Sequence, residues 1–462
     1  MPTVDRRRPG LARVGIGVAA VGAIAVVIVA GQVARPTKVS PNGGSGAPSG
    51  SSDATVGPGR VVADAFPSID PVTWTAIDWR RVPNAFGKKV DPVLNRIDGL
   101  MPGGPGLIGW GRTSQPGRNQ FNDMGAVHLS ADGAGWAVVP LDAGVGRRDT
   151  SEIHLVAPGP AGIVIFGDVC CTDEERPALW RSADGRIWQR LPYPGAIEPA
   201  AELSRLVATA DRYVLGGRSK GVATIWTSKD GATWTAVDGA AAGFGPGLIA
   251  DIARTPVGLV AVGHLDVGGT YDGAVWTSPD GEAWTRVAAN LLVGPDDTIV
   301  ERVVPWAGGW LLIGQEGLHA DRVRCEKLGQ AGQLASIDGL VDRGGPALDL
   351  SCGWGTEIHW LTADGSAWQR VAPAGLQGGV PKRGVLIEFR LVTAGGPGLV
   401  VLGEGSDVGA AAIFVSADGI NWQPTAPDRQ IPSGIVPYGF GIDGRTIAAV
   451  ADGPSAWIGT AR

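Results

Sequence analysis

Short apolar runs bounded by glycine punctuate most of this chain. They read "GLIGWG" from Gly106, "GIVIFG" from Gly162, "RYVLGG" from Arg212, "GLVAVG" from Gly258, "GWLLIG" from Gly309 and "GLVVLG" from Gly398, with "RTIAAVADG" from Arg445 as a seventh. Runs this short, rich in Val, Ile and Leu and closed by Gly, predict strands, since helices need ten or more residues. A second series interleaves with the first: "GAVHL", "PALWR", "ATIWT", "GAVWT", "EIHWL" and "AAIFV". Each member of it runs into a polar heptad ending in Trp: "SADGAGW" at Ser130, "SADGRIW" at Ser182, "SKDGATW" at Ser228, "SPDGEAW" at Ser278, "TADGSAW" at Thr362 and "SADGINW" at Ser416. A further short run follows, such as "WQRLP" or "WTRVA".

The heptad has the chemistry of a hairpin turn. Glycine takes a positive φ that other residues resist. The Asp carboxylate accepts hydrogen bonds from the turn's own N–H groups, and Ser or Thr adds another. Trp offers a large flat surface to clamp the hairpin. The expectation is two strands joined by a tight Asp-Gly turn. The aspartates Asp132, Asp184, Asp230, Asp280, Asp364 and Asp418 are 52, 46, 50, 84 and 54 residues apart, the 84 being one period plus an insertion. Four short strands per unit of about 50 residues are the signature of a propeller blade.

The heptads resemble the Asp-box, or bacterial-neuraminidase repeat, of sialidase-like seven-bladed propellers, one residue shorter than the common Ser-x-Asp-x-Gly-x-x-Trp form. The resemblance spans nearly everything from Pro71 to Arg462. It implies an all-β, seven-bladed β-propeller in which the boxes are structural and remote from any active site. Asp132, Trp136, Asp184, Trp188, Asp230, Trp234, Asp280, Trp284, Asp364, Trp368, Asp418 and Trp422 are therefore assigned to turns. The last unit supplies only three strands. "DWRRV" at Asp78–Val82 aligns with "AWTRV" at Ala283–Val287, so an N-terminal strand is expected to complete the seventh blade and remove the free sheet edges.

The N-terminus departs from this pattern. Val14–Ala34 is an apolar run of 21 residues whose one polar side chain is Gln32, enough to cross a bilayer as a helix. Arg6, Arg7, Arg8 and Arg13 precede it, which predicts that end inside and the propeller outside. The expected layout is a basic cytoplasmic segment at 1–13, a single-pass anchor at 14–34, a Pro/Gly/Ser-rich linker at 35–70 and the propeller at 71–462. The alternative is a cleaved signal ending near Val29-Ala30-Gly31, giving a secreted protein.

Composition changes the picture in two ways. Hydrophobic residues make up 44%, so a substantial core is possible despite 73 glycines and 34 prolines. The net charge is −6 although the N-terminus is basic. An acidic body lacks the Lys/Arg clusters that bind phosphate backbones, which excludes nucleic acid as partner.

Candidate chemistry lies on the loops after the strands of the first series, away from the boxes. The insertion Gln315–Thr356 contains Cys325 and Cys352, an expected disulfide outside the membrane that closes a long loop. A lid or partner-binding arm is the functional reading of that insertion. Cys170 and Cys171 are adjacent in "GDVCCTDEERP"; whether they pair with each other or elsewhere stays open, and Asp173, Glu174 and Glu175 read as a solvated loop. His264, Asp266, Tyr271 and Asp272 share "HLDVGGTYDG", whose spacing fits an ordinary turn better than a calcium loop. Arg112, Arg218, Arg322 and Arg390 are the arginines to inspect for an inward-facing cluster beside paired carboxylates, which would favour an enzyme.

The sialidase resemblance implies an arginine triad, a Tyr/Glu pair and an Asp acid. The nearest match to its Phe/Tyr-Arg-Ile-Pro motif is "RRVP" at Arg80–Pro83, without the aromatic residue, and none of the four tyrosines stands in a nucleophile context. There is no P-loop or HExxH. No cofactor and no metal are expected. The reading is a monomeric, membrane-anchored, extracytoplasmic propeller acting as a non-catalytic binding or scaffold module for a protein, peptide or glycan. The alternative is a carbohydrate-active hydrolase of sialidase-like ancestry.

Overall fold

The computed structural model describes residues 77–82, 96–114, 123–147, 149–170, 175–255, 258–288, 292–293, 297–306, 309–317, 356–365, 367–371, 387–395, 398–405, 411–424, 437–443, 446–451 and 456–461. They form seven four-stranded antiparallel sheets, propeller-like in their repetition. The first strands of the seven sheets are Arg96–Gly103, Thr150–Gly159, Glu202–Ala208, Gly247–Thr255, Thr298–Trp306, Ile387–Gly395 and Pro437–Asp443. The second strands are the glycine-bounded runs: Gly106–Ser114, Gly162–Cys170, Tyr213–Ser219, Gly258–Val267, Gly309–Glu316, Gly398–Gly405 and Thr446–Ala451. The third strands carry the box-preceding runs, Asp123–Ser130, Arg176–Ser182, Val222–Ser228, Thr270–Ser278, Thr356–Thr362 and Ala411–Ser416, with Ala456–Ala461 in the last sheet. Fourth strands are brief, as at Ala137–Pro140 or Thr285–Arg286.

The seventh sheet takes its fourth strand from the other end of the chain. Ile77–Val82 pairs antiparallel with the third strand, Ile77 opposite Ala461 and Val82 opposite Ala456. Successive first strands touch from sheet 2 through sheet 7, the first strand of sheet 7 packs on that of sheet 1, and sheet 1 meets sheet 2 through its second and third strands. The sheet-to-sheet contacts thus run in a closed cycle.

The Asp-Gly hairpins are longer than the tight turn expected. In sheet 1 the flanking strands pair at Leu129 and Ala137, leaving the connecting residues to side-chain support. Ser130 Oγ accepts from Gly133 N–H at 2.8 Å, and Asp132 Oδ1 accepts from Ala134 and Gly135 N–H at 2.8 and 3.2 Å. Trp136 Nε1 donates to the Gly133 carbonyl at 2.9 Å. The same Ser and Asp contacts recur around Asp184, Asp230, Asp280 and Asp418, and Thr362 Oγ1 replaces Ser in holding Gly365. Trp188, Trp234 and Trp284 repeat the indole bond. These loops close on side-chain oxygens, and the turn glycine takes a positive φ, +75° at Gly133. Burial pushes the Asp230 carboxyl up, but the Thr233 and Ala232 N–H groups and the Ser228 and Thr233 hydroxyls outweigh it and hold the group down to about 2.

The glycine that ends each strand of the first series has a packing role. First strands carry an extra, unpaired residue, a β-bulge, between Ile97 and Gly99, Ile153 and Leu155, Leu203 and Arg205, Ile249 and Asp251, Val300 and Arg302, Phe389 and Leu391, and Pro437 and Gly439. The residue opposite the position before the bulge is Gly111, Gly167, Gly217, Gly263, Gly314 and Gly403 in sheets 1 to 6, and Ala451 in sheet 7. In sheets 1 to 5 a Cβ there would overlap the carbonyl oxygen of the facing strand. The bulge and the glycine are thus one device.

The core lies between sheets. Two residues before each box, Trp180, Trp226, Trp276, Trp360 and Phe414 are fully buried. Sheet 1 has His128 at this position, 0% exposed. Burial pushes its imidazole down to about 3, only partly offset by a hydrogen bond with the Arg112 main chain. The folded state therefore binds fewer protons than the unfolded chain between pH 6.5 and about 3. His128 stability is fully present above 6.5 and falls by about 1.4 kcal/mol per pH unit as that window is crossed downward. In H128F, which installs the ring of Phe414, acid unfolding followed by tryptophan fluorescence is expected at a lower pH than in wild type. An unchanged acid midpoint would show that His128 does not set it.

No helix among the described residues is long and apolar enough to cross a membrane. The anchor at 14–34, its flanking segments and the pair Cys325–Cys352 lie outside the described residues. The insertion is narrower than Gln315–Thr356, because Gln315 and Glu316 still pair with Glu357 and Thr356 across the second and third strands.

Candidate functional site

Boxes join third to fourth strands, so the opposite end of every sheet gathers the start of the first strand, the end of the second and the start of the third. All seven bulges lie at this end. Their extra residues are Asp98, His154, Ser204, Ala250, Glu301, Arg390 and Tyr438. Because neighbouring sheets touch in a cycle, the residues at this end lie on one face of the described sheets, the mouth. Among the described side chains it is charged in sheets 1 to 3, through Arg96, Asp98, Glu152, His154 and Glu202. It turns apolar through Leu248 and Ala250 of sheet 4 and Ile299 of sheet 5, then polar again at Glu301.

Opposite charges meet in pairs around this mouth. Arg96 contacts Asp98. Arg112, at the end of its second strand, reaches into the next sheet, Nη2 lying 2.7 Å from Glu152 Oε1. His154 Nε2 lies 2.5 Å from Asp168 Oδ2, and Arg218 Nη2 lies 2.5 Å from Glu202 Oε2. Gln315 Nε2 donates to Glu301 Oε1 at 3.2 Å. Burial raises the Asp98 carboxyl against the pull of Arg96 and Arg112. The Asp168 hydrogen bond raises the His154 imidazole above its ordinary value, with Glu152 and Glu175 adding to it against burial. Burial lowers His264, helped by the Arg218 charge.

Sheet 4 contributes aromatics. His264 and Tyr271 lie diagonally across the second and third strands, ring centroids 4.7 Å apart and planes tilted by 51°. Their loop is a two-residue turn, Val267 pairing with Thr270, and Asp266 Oδ1 accepts from Gly269 N–H at 2.9 Å. Tyr271 N–H donates to Asp297 Oδ1 at 2.8 Å, and Asp297 is 1% exposed, so the start of this strand is fixed.

Beneath the mouth, the position after the bulge holds Arg205, Asp251 and Arg302 in three successive sheets. Asp251 is 0% exposed. Its Oδ1 lies 3.2 Å from Arg205 Nε and accepts from Ile252 N–H at 2.9 Å, while Oδ2 accepts from Val303 N–H at 3.0 Å. Burial raises its carboxyl, and the charges of Arg205 and Arg302 pull it down. One carboxylate thus ties the first strands of sheets 3, 4 and 5.

Arg112, Arg218, His264 and Tyr271 all lie at the mouth end. Cys170 ends its second strand there, opposite Thr150. Arg390 is the bulge residue of sheet 6, its side chain outside the described set. Cys171 and Arg322 lie outside the described residues. The box residues stand at the other end, where two clefts of about 450 Å3 separate neighbouring turns. Asp230 and Asp418 in their walls are occupied with the turns themselves. Among the described residues, no group of three or more His, Cys, Asp or Glu is placed to hold a metal. Sequence reasoning missed Glu152, His154, Asp168, Glu202 and Asp251. Only His154 and Asp251 fall within the tetrads that recur at the bulges, "IDGL", "IHLV", "LSRL", "IADI", "VERV" and "FRLV", and those tetrads mark the bulge without showing what its residues meet; Glu152 and Glu202 stand just before them and Asp168 lies on a second strand.

No family model matches the chain, and no curated protein does. Solved structures do match. The chain is similar to a GH74 xyloglucanase from Xanthomonas campestris, at 15% identity and TM-score 0.44, over 81% of this chain and 52% of that one. It therefore spans about half the length of that enzyme. It is also similar to the β-propeller domain of the Trilobed protease from Pyrococcus furiosus, at 9% identity and TM-score 0.44, over 78% and 90% of the two chains. Virginiamycin B lyase from Staphylococcus aureus matches at 12% identity and TM-score 0.41, over 83% and 99%.

Proposed function

We propose that the chain is a seven-bladed Asp-box propeller, closed by its N-terminal strand and held at the outer face of a membrane, that binds its ligand at the mouth without chemical turnover. The closed cycle of seven sheets and the six-residue pairing of Ile77–Val82 support the ring. The Ser/Thr, Asp, Gly and Trp bonds of the turns support the Asp-box reading, with those residues serving the fold.

The observation that carries the binding role is the pairing of charges at the mouth. A sialidase-type hydrolase needs arginines free to hold a substrate carboxylate and two acids at a set separation. Here Arg112 and Arg218 already lie on Glu152 and Glu202, and Asp168 lies on His154. Such a surface offers fixed donors and acceptors with little net field, which suits recognition. Strand polarity fits presentation outward: Ile77 lies opposite Ala461, so the chain enters the seventh sheet at the box end, away from the mouth.

The test is turnover of a panel of fluorogenic aryl glycosides, sialosides included, by the full-length protein. The expected result is no rate above the uncatalysed one. Turnover that disappears in Glu152→Gln or Asp168→Asn would overturn the non-catalytic reading.

A further inference from the structure

We infer that the mouth takes an uncharged glycan, seated on the sector built by sheets 3, 4 and 5. This rests on the binding role proposed above and names its ligand class. The sector has an aromatic platform in the His264–Tyr271 pair, with Tyr271 positioned through Asp297. Beside it lie Leu248 and Ala250, half-buried apolar positions on the first strand, followed by Ile299 of the next sheet. A pyranose presents an apolar face of C–H groups, and an aromatic ring with an aliphatic neighbour is a surface that such a face can cover.

The flanks supply matching polar chemistry. Arg218 with Glu202 on sheet 3, and Gln315 with Glu301 on sheet 5, each set planar N–H donors beside a carboxylate acceptor. Every sugar hydroxyl is both donor and acceptor, so neighbouring hydroxyls can bridge such a couplet, giving a hydrogen bond to one member and accepting one from the other. The geometry disfavours two other ligand classes. The guanidinium of Arg218 is neutralised by Glu202, and an acidic sugar would meet the exposed carboxylates of Glu202 and Glu301. An extended peptide adds to an open strand edge, but the bulges at Ser204, Ala250 and Glu301 interrupt the inner edges of all three sheets.

The experiment places the detergent-solubilised full-length protein on an array of neutral, sialylated and sulfated glycans and on a peptide array. Calorimetric titration with cellohexaose, mannohexaose and xylohexaose follows. Binding to neutral glycans is expected, weakened at least tenfold in Tyr271→Ala and in Glu202→Gln, with Tyr271→Phe close to wild type and all three variants melting near the wild-type temperature. Glu202 is exposed, so its variant reads binding even if Tyr271→Ala fails to fold. Binding confined to acidic glycans, or no glycan bound at all, would overturn the inference. Peptide binding lost in Tyr271→Ala would also overturn it, yet leave the binding role standing. Neutral glycans bound and then cleaved would support the ligand class and overturn the non-catalytic reading instead.

Discussion

Gly263→Ala is expected to cost roughly 3–5 kcal/mol, a large fraction of the about 5–15 kcal/mol that keeps a domain folded. The added Cβ would overlap the carbonyl oxygen of Leu248 on the facing first strand. That oxygen belongs to backbone, so no rotamer change relieves the contact, and the strand has to move. Moving it displaces the bulge at Ala250 and, one residue on, Asp251, which is bonded to both neighbouring sheets. Urea unfolding read by tryptophan fluorescence gives the comparison. Gly195→Ala is the control, because a Cβ there meets nothing within 4 Å, and it is expected within about 0.5 kcal/mol of wild type. Equal midpoints for the two variants would mean that the bulge does not depend on its glycine.

Asp251→Ala is expected to cost about 3–5 kcal/mol by a different route. It leaves Arg205, almost fully buried, without its carboxylate, and removes the acceptor from the Val303 N–H. Desolvating an ion pair is expensive, so replacing both partners by apolar residues should cost less than breaking the pair. The double variant Arg205→Met/Asp251→Leu is therefore expected to recover most of the loss. A double variant as unstable as Asp251→Ala would place the cost elsewhere, in the lost Val303 and Ile252 bonds. Asp251→Asn, which keeps an acceptor oxygen, is expected to fall between the two.

The two kinds of position differ in how far the sequence reveals them. Second and third strands are legible because their sides are buried and their residues apolar, as in "GLVAVG" and "GAVWT". The boxes are legible because a positive-φ glycine, a turn-capping acid and an indole are needed together. First strands are harder to read. Their mouth-facing residues are polar and their bulges shift the alternation by one, so "AELSRLVA" has neither a clean period of two nor a continuous apolar run. The glycine closing each second strand is visible in the sequence, but its reason is a carbonyl on a strand that the pattern does not mark. Arg112 and Arg218 could be picked out as loop-end arginines, whereas their partners Glu152 and Glu202 come from the first strands and needed the register. The Arg205–Asp251–Arg302 alignment spans three sheets, about 50 residues apart in the chain, and no local pattern announces it.

His128 shows the limit of the repeat from the other side. It stands where other sheets have Trp or Phe, and in sequence a lone histidine in a strand has many explanations. Its full burial identifies it as a neutral core ring. Trp310, against Gly365 of the fifth turn, stands where most sheets have Leu or Ile, and Trp306 donates to the Ala417 carbonyl of the sixth turn, both within unchanged strand pairing. The scaffold tolerates such exchanges because each sheet packs mainly on its two neighbours.

The most direct test of the account is an experimental structure of the full-length protein, read at the mouth. The account predicts Arg112 on Glu152, Arg218 on Glu202 and His154 on Asp168, with the His264–Tyr271 platform open beside Leu248. Arginines turned away from those carboxylates and converging on one pocket, with two acids facing each other across it, would contradict the account and make the protein a hydrolase.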